Sequence, residues 1–290
     1  MKFEVHPSFQ RPEPNMPLWR YMDLPKFLSL LLDKALWLPN ANLLAKDDPY
    51  EGALWDKNFI HRTWRSMGDV PETFKAFLNL NHRESDEESD EKVFMRYMRT
   101  IEQVVHISKS ARSSFYVNCW HGARQESAAM WKIYGSPGPG VALISDVDRI
   151  ENSLVPDGKQ LYCGQVNYLD DTEPLDWSNG FNIIMSKRRC FSYENEVRIV
   201  YWGRGDQFEE IDLNLWDEER LRFNFSGFVK KTSQAGVQVD CDLNKLINEV
   251  MISPYAPKWY MGIIEKLRDV HKLNFKITSS RLLAEPSAPA

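Results

Sequence analysis

The chain has 290 residues, of which 43% are hydrophobic and 27% charged, with a formal net charge of −5. This composition is typical of a globular protein, and its acidic balance does not favour nucleic acid as a partner, although a local basic patch leaves room for it. No apolar run approaches the ~20 residues of a membrane-spanning helix. The N-terminus shows no secretory signal pattern. We therefore expect a cytoplasmic protein without a membrane partner.

The cysteine pattern argues against a structural metal site. Cys119, Cys163, Cys190 and Cys241 are far apart, and none has the close Cys or His neighbour that zinc sites use. Each of these cysteines lies in an apolar or aromatic stretch, which is typical of reduced core cysteines. The sequence therefore predicts no structural metal.

The N-terminal part of the chain predicts an arm followed by a strand, a helix and a second strand. Residues 1–17 contain four prolines, which favours an extended arm rather than a packed element. Residues 18–22 are typical of a strand. Asp23 is placed to cap a helix that has Pro25 in its first turn. Residues 35–38 predict the second strand.

The middle of the chain is helical in pattern, and the remainder is rich in strands. Residues 52–112 carry apolar side chains at three- and four-residue spacings, which predicts a helical insertion. The remaining predicted strands are 115–120, 140–144, 161–169, 193–201, 237–240, 251–253 and 274–278, and the remaining helices are 125–134, 146–154, 243–250 and 258–272. This order favours a single α+β domain over residues 18–282, with a mixed, largely antiparallel sheet core. Residues 283–290 have the composition of a disordered tail.

The predicted strand at 193–201 carries the most informative pattern of the chain. Alternation places apolar side chains on one face and Glu194, Glu196 and Arg198 on the other. The two carboxylates would lie within about 7 Å of each other, so one pKa should rise unless a cation offsets the repulsion. Arg198 or Lys187 is placed to be that cation, and Lys187 is also a candidate contact for a ligand phosphate. The alternative is a solvated row of charges on an exposed sheet face.

Other candidate ligand contacts lie earlier in the chain. Arg20 and Tyr21 fall on the first strand, and the planar guanidinium of an arginine binds phosphate or carboxylate bidentately. Trp131 and Tyr134 lie on a predicted helix that follows His121 closely, and such rings are suited to stack on adenine or nicotinamide. The alternative is that the helical pair packs on the sheet, and that Arg20 lies in water at an edge strand.

Several short segments resemble a widespread bacterial family known only as a domain of unknown function. In chain order they are LWRY at 18–21, DPYE at 48–51, CW at 119–120, MWKIY at 130–134 and YENEVR at 193–198. The resemblance runs from about residue 18 to residue 282. It implies no activity by itself.

The plan of the candidate site is similar to that of the NAD-using ADP-ribosyltransferases, which carry an Arg on the first strand and Glu-x-Glu on a late strand. This resemblance implies that NAD is the substrate, that Arg20 binds its phosphates or ribose, and that Glu196 stabilises the oxocarbenium-like charge. Glu194 would orient or deprotonate the acceptor. The expected function is an ADP-ribosyltransferase-like enzyme or NAD glycohydrolase of a bacterial stress or defence type. Its partners would be a small-molecule nucleotide and a macromolecular acceptor.

Two other functions stay open at this stage. Asp48, Glu51, Glu194 and Glu196, together with Lys187, fit a metal-dependent nuclease or phosphodiesterase. Helix capping is a simpler explanation of the acids at 47–51. The third alternative is a ligand-binding or interaction module without catalysis.

Overall fold

The structure is a computed structural model that describes most of the chain. It describes residues 2–135, 138–176, 178–203, 214, 216–223 and 234–285, except for the side chains of residues 107 and 109–111. The predicted disordered tail lies outside the described residues from position 286 onward. No helix among the described residues is long and apolar enough to cross a membrane.

The strands belong to one large sheet and several two-stranded ribbons. They are β1 (Leu18–Asp23), β2 (Ala35–Pro39), β3 (Phe115–Gly122), β4 (Gly140–Ser145), β5 (Leu161–Gln165), β6 (Asn167–Leu169), β7 (Ser186–Arg188), β8 (Glu196–Trp202), β9 (Trp216–Asp217), β10 (Arg222–Phe223), β11 (Gly236–Asp240), β12 (Glu249–Ile252) and β13 (Lys276–Ser279).

The helices lie between and outside these strands. They are α1 (Leu24–Asp33), α2 (Ala41–Leu44), α3 (Glu72–His82), α4 (Asp90–Ala111), α5 (Ala128–Tyr134), α6 (Val147–Ser153), α7 (Gly180–Ile184), α8 (Leu243–Leu246) and α9 (Tyr260–Val270). Short 3-10 helices cover Asp56–Thr63, Met67–Asp69, Arg112–Ser114 and Arg189–Glu194.

The central sheet has seven strands in the order β13-β12-β4-β1-β3-β8-β5. Its neighbours pair antiparallel except β12 and β13, which run parallel. The predicted α+β class with a mixed, largely antiparallel sheet is therefore confirmed. The predicted helical region is also helical, since it consists of α3, α4 and 3-10 turns between β2 and β3.

Both faces of the sheet are covered, so its strands read as mostly buried rather than as alternating. One face packs against α1, β2, α6, α8 and α9 in the main hydrophobic core. The other face packs against α5 near β1 and against α7 near β3 and β8. The alternation of β8 divides these two environments, because Val197 and Ile199 enter the main core while Glu196 and Arg198 point to the opposite face.

The central strands β1 and β3 separate soon after they meet. β1 pairs with β4 along its whole length, but with β3 it pairs only at Leu18 and Trp19. Beyond that point β2 approaches β3 instead, and the side-chain amide of Asn118 donates a hydrogen bond to the Trp37 carbonyl at 2.8 Å. The sheet is therefore split between two neighbouring strands, and this split positions the site described below.

The helical insertion is joined to the domain at two points that lie close together. Arg112, at its end, donates hydrogen bonds to the carbonyls of Pro49 and Gly52, at its beginning. Asn40 donates a hydrogen bond to the Ser113 carbonyl at 2.6 Å. The ends of the insertion are thus fastened to each other and to the edge of β2.

Several predicted boundaries are wrong for identifiable physical reasons. The arm at 1–17 is extended but packed, because Phe3 and Phe9 enter the two hydrophobic clusters beside β5. The predicted strand 161–169 is two strands with different partners. The predicted helix 243–250 ends at Leu246, since the following residues pair with β4 as β12. Tertiary pairing overrides helix propensity there.

Candidate active site

The separation of β1 from β3 opens a cavity of about 590 Å³, a size within the usual range for small-molecule sites. The predicted site residues that line it are Arg20, Tyr21, His121, Tyr134, Lys187, Glu194, Glu196 and Arg198. The remaining wall is largely apolar and comes from α1, β2 and β3. One cavity thus brings together side chains from three neighbouring strands of the sheet.

A left-handed residue places the two acids of the Glu-x-Glu motif. Asn195 adopts φ 38° and ψ 56°, a conformation that asparagine tolerates better than most residues. Its side-chain amide donates a hydrogen bond to the Gly122 carbonyl, and its own carbonyl accepts one from Gly122 at 2.9 Å. The strand therefore begins at Glu196, and Glu194 ends a 3-10 turn, so the prediction of one straight strand over 193–201 is wrong.

Lys187 lies at the centre of the acid cluster, which we define as Glu51, Glu194, Glu196, Lys187 and Arg198. Its ammonium is 2.5 Å from Glu194 Oε2, 3.4 Å from Glu196 Oε2 and 3.5 Å from Glu51 Oε2. Burial lowers the pKa of Lys187, but the surrounding carboxylates outweigh this effect and raise it above its ordinary value. Lys187 is therefore occupied by protein carboxylates and does not contact a phosphate.

Arg198 completes the acid cluster from the floor of the cavity. Its guanidinium binds both oxygens of Glu196 at 2.9 and 3.0 Å, and its Nη1 lies 2.7 Å from Glu51 Oε1. Nη1 also donates a hydrogen bond to the Ile184 carbonyl. Arg198 is fully buried, so a planar, bidentate partner is what keeps Glu196 ionised.

The two acids of the motif differ in their proton affinity. Burial alone would raise the pKa of Glu196, but Arg198 and Lys187 outweigh it and lower the pKa to about 2. For Glu194 burial is the stronger effect, and its pKa lies above the ordinary value despite Lys187. Glu196 thus supplies a fixed charge, and Glu194 is the carboxylate able to exchange a proton near neutral pH.

The low pKa of Glu196 predicts a pH-dependent contribution to stability. Because its folded pKa lies below its ordinary value of 4.5, this contribution is present above pH 4.5 and is lost as the pH falls towards 2. Its size is on the order of 3 kcal/mol. Urea unfolding from pH 7 to 2 should show a steeper acid loss for the native chain than for Glu196→Gln. Equal slopes for the two proteins would contradict the assignment of the low pKa to Glu196.

His121 buttresses the turn that carries Glu194. Its Nδ1 lies 2.5 Å from the Glu194 carbonyl, and because a carbonyl only accepts, Nδ1 carries the proton. Burial lowers the pKa of His121, so the ring is neutral and its Nε2 is an acceptor. Across the cavity the Tyr134 hydroxyl donates to Glu194 Oε1 at 3.3 Å. Burial raises the pKa of Tyr134, which keeps that hydroxyl protonated.

Arg20 lines the same cavity from the other side of the split. Its guanidinium lies 5.9 Å from the Trp120 ring centre, and Trp120 belongs to the main core face rather than to the face of Glu196. Among the described residues Arg20 has no hydrogen bond or ion pair. Burial lowers its pKa to about 10, so it remains a cation at neutral pH. A half-buried cation without a protein anion is suited to bind an anionic ligand.

Two of the predicted aromatic contacts form the wall behind the cavity. Tyr21 lines the cavity and packs edge-on against Trp131 at 4.8 Å between ring centres. Trp131 is fully buried and donates its indole N–H to Glu126 Oε2 at 2.9 Å. It does not reach the cavity, so the prediction that it stacks on a ligand is replaced by a supporting role. Helix α5 begins at Ala128, with Ser127 as its N-cap, rather than at residue 125.

The acids at 47–51 have a different role from the helix capping that the sequence suggests. Glu51 is a member of the acid cluster, and Asp48 pairs with Arg188 at 2.7 Å, while α2 is capped by Asn40 instead. The signal that could have found them is their place in the DPYE segment at 48–51.

The carboxylates of the site do not form a metal centre. Among the described residues no group of three or more His, Cys, Asp or Glu side chains could hold a metal ion. The reason is visible in the acid cluster, where Lys187 and Arg198 occupy the position between the carboxylates. The metal-dependent alternative therefore has no ligand set in this part of the chain.

Comparison of the chain with protein-family models, with curated proteins and with solved structures finds no match. The resemblances of the motif segments stay predictions. The functional conclusion therefore depends on the chemistry of the cavity alone.

Proposed function

We propose that the chain binds NAD in the cavity between β1 and β3 and cleaves its nicotinamide–ribose bond, as an ADP-ribosyltransferase-like enzyme or NAD glycohydrolase. The observation that supports this proposal most directly is the charge arrangement of one cavity. An unpaired cation, Arg20, lies on one side, and the acid cluster, with three carboxylates against two cations, lies on the other.

This arrangement is complementary to the charges of NAD. The pyrophosphate is anionic and matches Arg20, whereas the nicotinamide ring carries a positive charge that matches the net negative acid cluster. The aromatic side chains of Tyr21, Trp120 and Tyr134 line the space between these groups. Electrostatic complementarity of this kind fixes the orientation of a bound ligand.

The strand order also agrees with the site plan that the sequence suggests. β1, β3 and β8 are neighbours in the sheet, and each contributes a side chain to the cavity: Arg20, His121 and Glu196. The transferases that the plan resembles have a Ser-Thr-Ser segment on the middle strand, whereas β3 offers Cys119 and His121 there. Cys119 is buried, and burial raises the pKa of its thiol well above the ordinary value, so it is not a thiolate nucleophile.

The reaction uses the two acids in separate roles. As the bond between the ribose C1′ and the nicotinamide nitrogen breaks, its electron pair leaves with nicotinamide, which becomes neutral. The positive charge that develops on the ribose is stabilised by the fixed negative charge of Glu196. The acceptor, water or a macromolecular group, then forms a bond to C1′ and gives its proton to Glu194.

Substitution of Arg20 by Met tests the binding step. Loss of a charge-assisted hydrogen bond is worth roughly 1.5–3 kcal/mol, so NAD affinity should fall roughly ten- to hundredfold. The unliganded protein should melt at the same temperature or higher, because Arg20 has no partner to lose. Titration calorimetry and thermal unfolding measure the two effects.

The matched control is Arg268→Met on α9, where the arginine pairs with the neighbouring Asp269 outside the cavity. It should leave NAD affinity unchanged. Absence of nicotinamide release from NAD by the native chain, with or without cell lysate as a source of acceptor, would contradict the proposed function.

A further inference from the structure

Asp48 presents an unused acceptor at the wall of the cavity. Its carboxylate is only 3% exposed and lines the cavity beside Glu51. Oδ1 accepts hydrogen bonds from Arg188 Nη2 at 2.7 Å and from the Tyr50 amide at 3.1 Å. Oδ2 is buried and has no hydrogen-bond partner.

The position of this carboxylate is firmly held. Arg188, which does not line the cavity, stacks on the Tyr50 ring at 4.4 Å and on the Phe191 ring at 5.4 Å while it binds Oδ1. The carboxylate therefore cannot turn to exchange its two oxygens without breaking the pair with Arg188. Oδ2 stays at the cavity wall as an oriented acceptor.

A buried acceptor without a partner costs free energy, and native proteins keep few of them. At a cavity wall the cost is recovered when a ligand donates to that atom. Such acceptors also give specificity, because a ligand that lacks the donor leaves them unpaired.

We propose that Asp48 is a specificity-determining residue whose Oδ2 accepts a hydrogen bond from a hydroxyl or amide N–H of the bound ligand. In naming a nucleotide as that ligand, the inference rests on the proposed function. Together, Arg20 and Asp48 select a ligand that carries both an anionic group and a hydrogen-bond donor, which describes a sugar phosphate. A simple inorganic anion satisfies Arg20 alone.

The test compares ADP-ribose with inorganic pyrophosphate as ligands of the native chain and of Asp48→Asn. In this variant the amide oxygen remains with Arg188 and the Tyr50 amide, so its NH2 group replaces Oδ2 and meets the ligand donor with another donor. ADP-ribose should bind roughly ten- to hundredfold more weakly to the variant. Pyrophosphate, which has no hydroxyl of this kind, should bind both proteins equally.

Arg188→Gln is the matched control, because it removes the same ion pair and leaves the Asp48 carboxylate in place. It should change ADP-ribose affinity by less than about threefold. If Asp48→Asn does not fold, the double variant D48N/R188Q, which removes both charges of the pair, carries the same expectation as D48N.

Three results would overturn the inference: equal losses in D48N and R188Q, an equal loss for pyrophosphate, or no binding of ADP-ribose to the native chain. The proposed function fails separately. If the native chain binds ADP-ribose through Asp48 but releases no nicotinamide from NAD, the enzyme proposal is wrong and the assignment of Asp48 stands.

Discussion

Glu194→Gln is expected to remove NAD cleavage while leaving the fold intact. The carboxylate has the raised pKa of a proton-exchanging group and accepts from Tyr134 and Lys187 inside the cavity. Loss of a general base costs typically 10²–10⁴-fold in rate. Lys187 keeps Glu51 and Glu196 as partners, so the substitution leaves no unpaired cation. Nicotinamide release, followed by chromatography under saturating NAD, measures the effect as a change in kcat.

The pH profile separates this chemical role from a structural one. A base must be deprotonated to act, and because burial raises the pKa of Glu194, the acid limb of kcat should lie above the ordinary glutamate pKa of 4.5. Glu218→Gln, at an exposed carboxylate paired with Arg99, is the control and should show the native profile. An acid limb that survives in Glu194→Gln would assign the base elsewhere.

Arg198→Leu should be the most destabilising single substitution in the site. It leaves Glu196 and Glu51 buried and without the guanidinium that binds them, at 6% and 2% exposure. Removal of one partner of a buried pair typically costs about 3–5 kcal/mol, since the remaining charge is uncompensated. Urea denaturation at pH 7 measures the loss as a change in the free energy of unfolding.

Two variants define the origin of that loss. Arg188→Leu makes the same change at a half-buried pair and should cost distinctly less. The triple variant R198L/E51Q/E196Q removes the buried charges together and should recover much of the stability, because neutral side chains tolerate burial better. A loss below about 1 kcal/mol in Arg198→Leu, the range of an exposed pair, would show that the acid cluster is open to water.

The fold could be predicted from sequence wherever the local pattern is strong. The cap at Asp23 and the stop at Gly135 mark helix ends as the structure has them, since both act through their nearest neighbours. The opposite faces of β8 follow from alternation, and the structure confirms that Glu196 and Arg198 share a face away from Val197. The predicted pairing of an acid with Arg198 or Lys187 is likewise confirmed.

The site depended on contacts that are distant in sequence, and these were predicted less well. Glu51 is 147 positions before Arg198, and no local pattern indicates that the two meet. The burial of Trp131 behind Tyr21 follows from where α5 lies on the sheet rather than from its own periodicity. The turn at Asn195 was missed because its neighbours alternate like a strand on both sides.

The Arg112 hydrogen bonds to Pro49 and Gly52 have an architectural consequence. The chain leaves the domain and returns to it beside one spot, next to Glu51, so a short linker could replace everything between without moving either junction. The helical segment is in this sense a graft upon an older scaffold, and its single anchorage adjoins a residue of the acid cluster. Whatever pulls on the graft is felt first at Glu51.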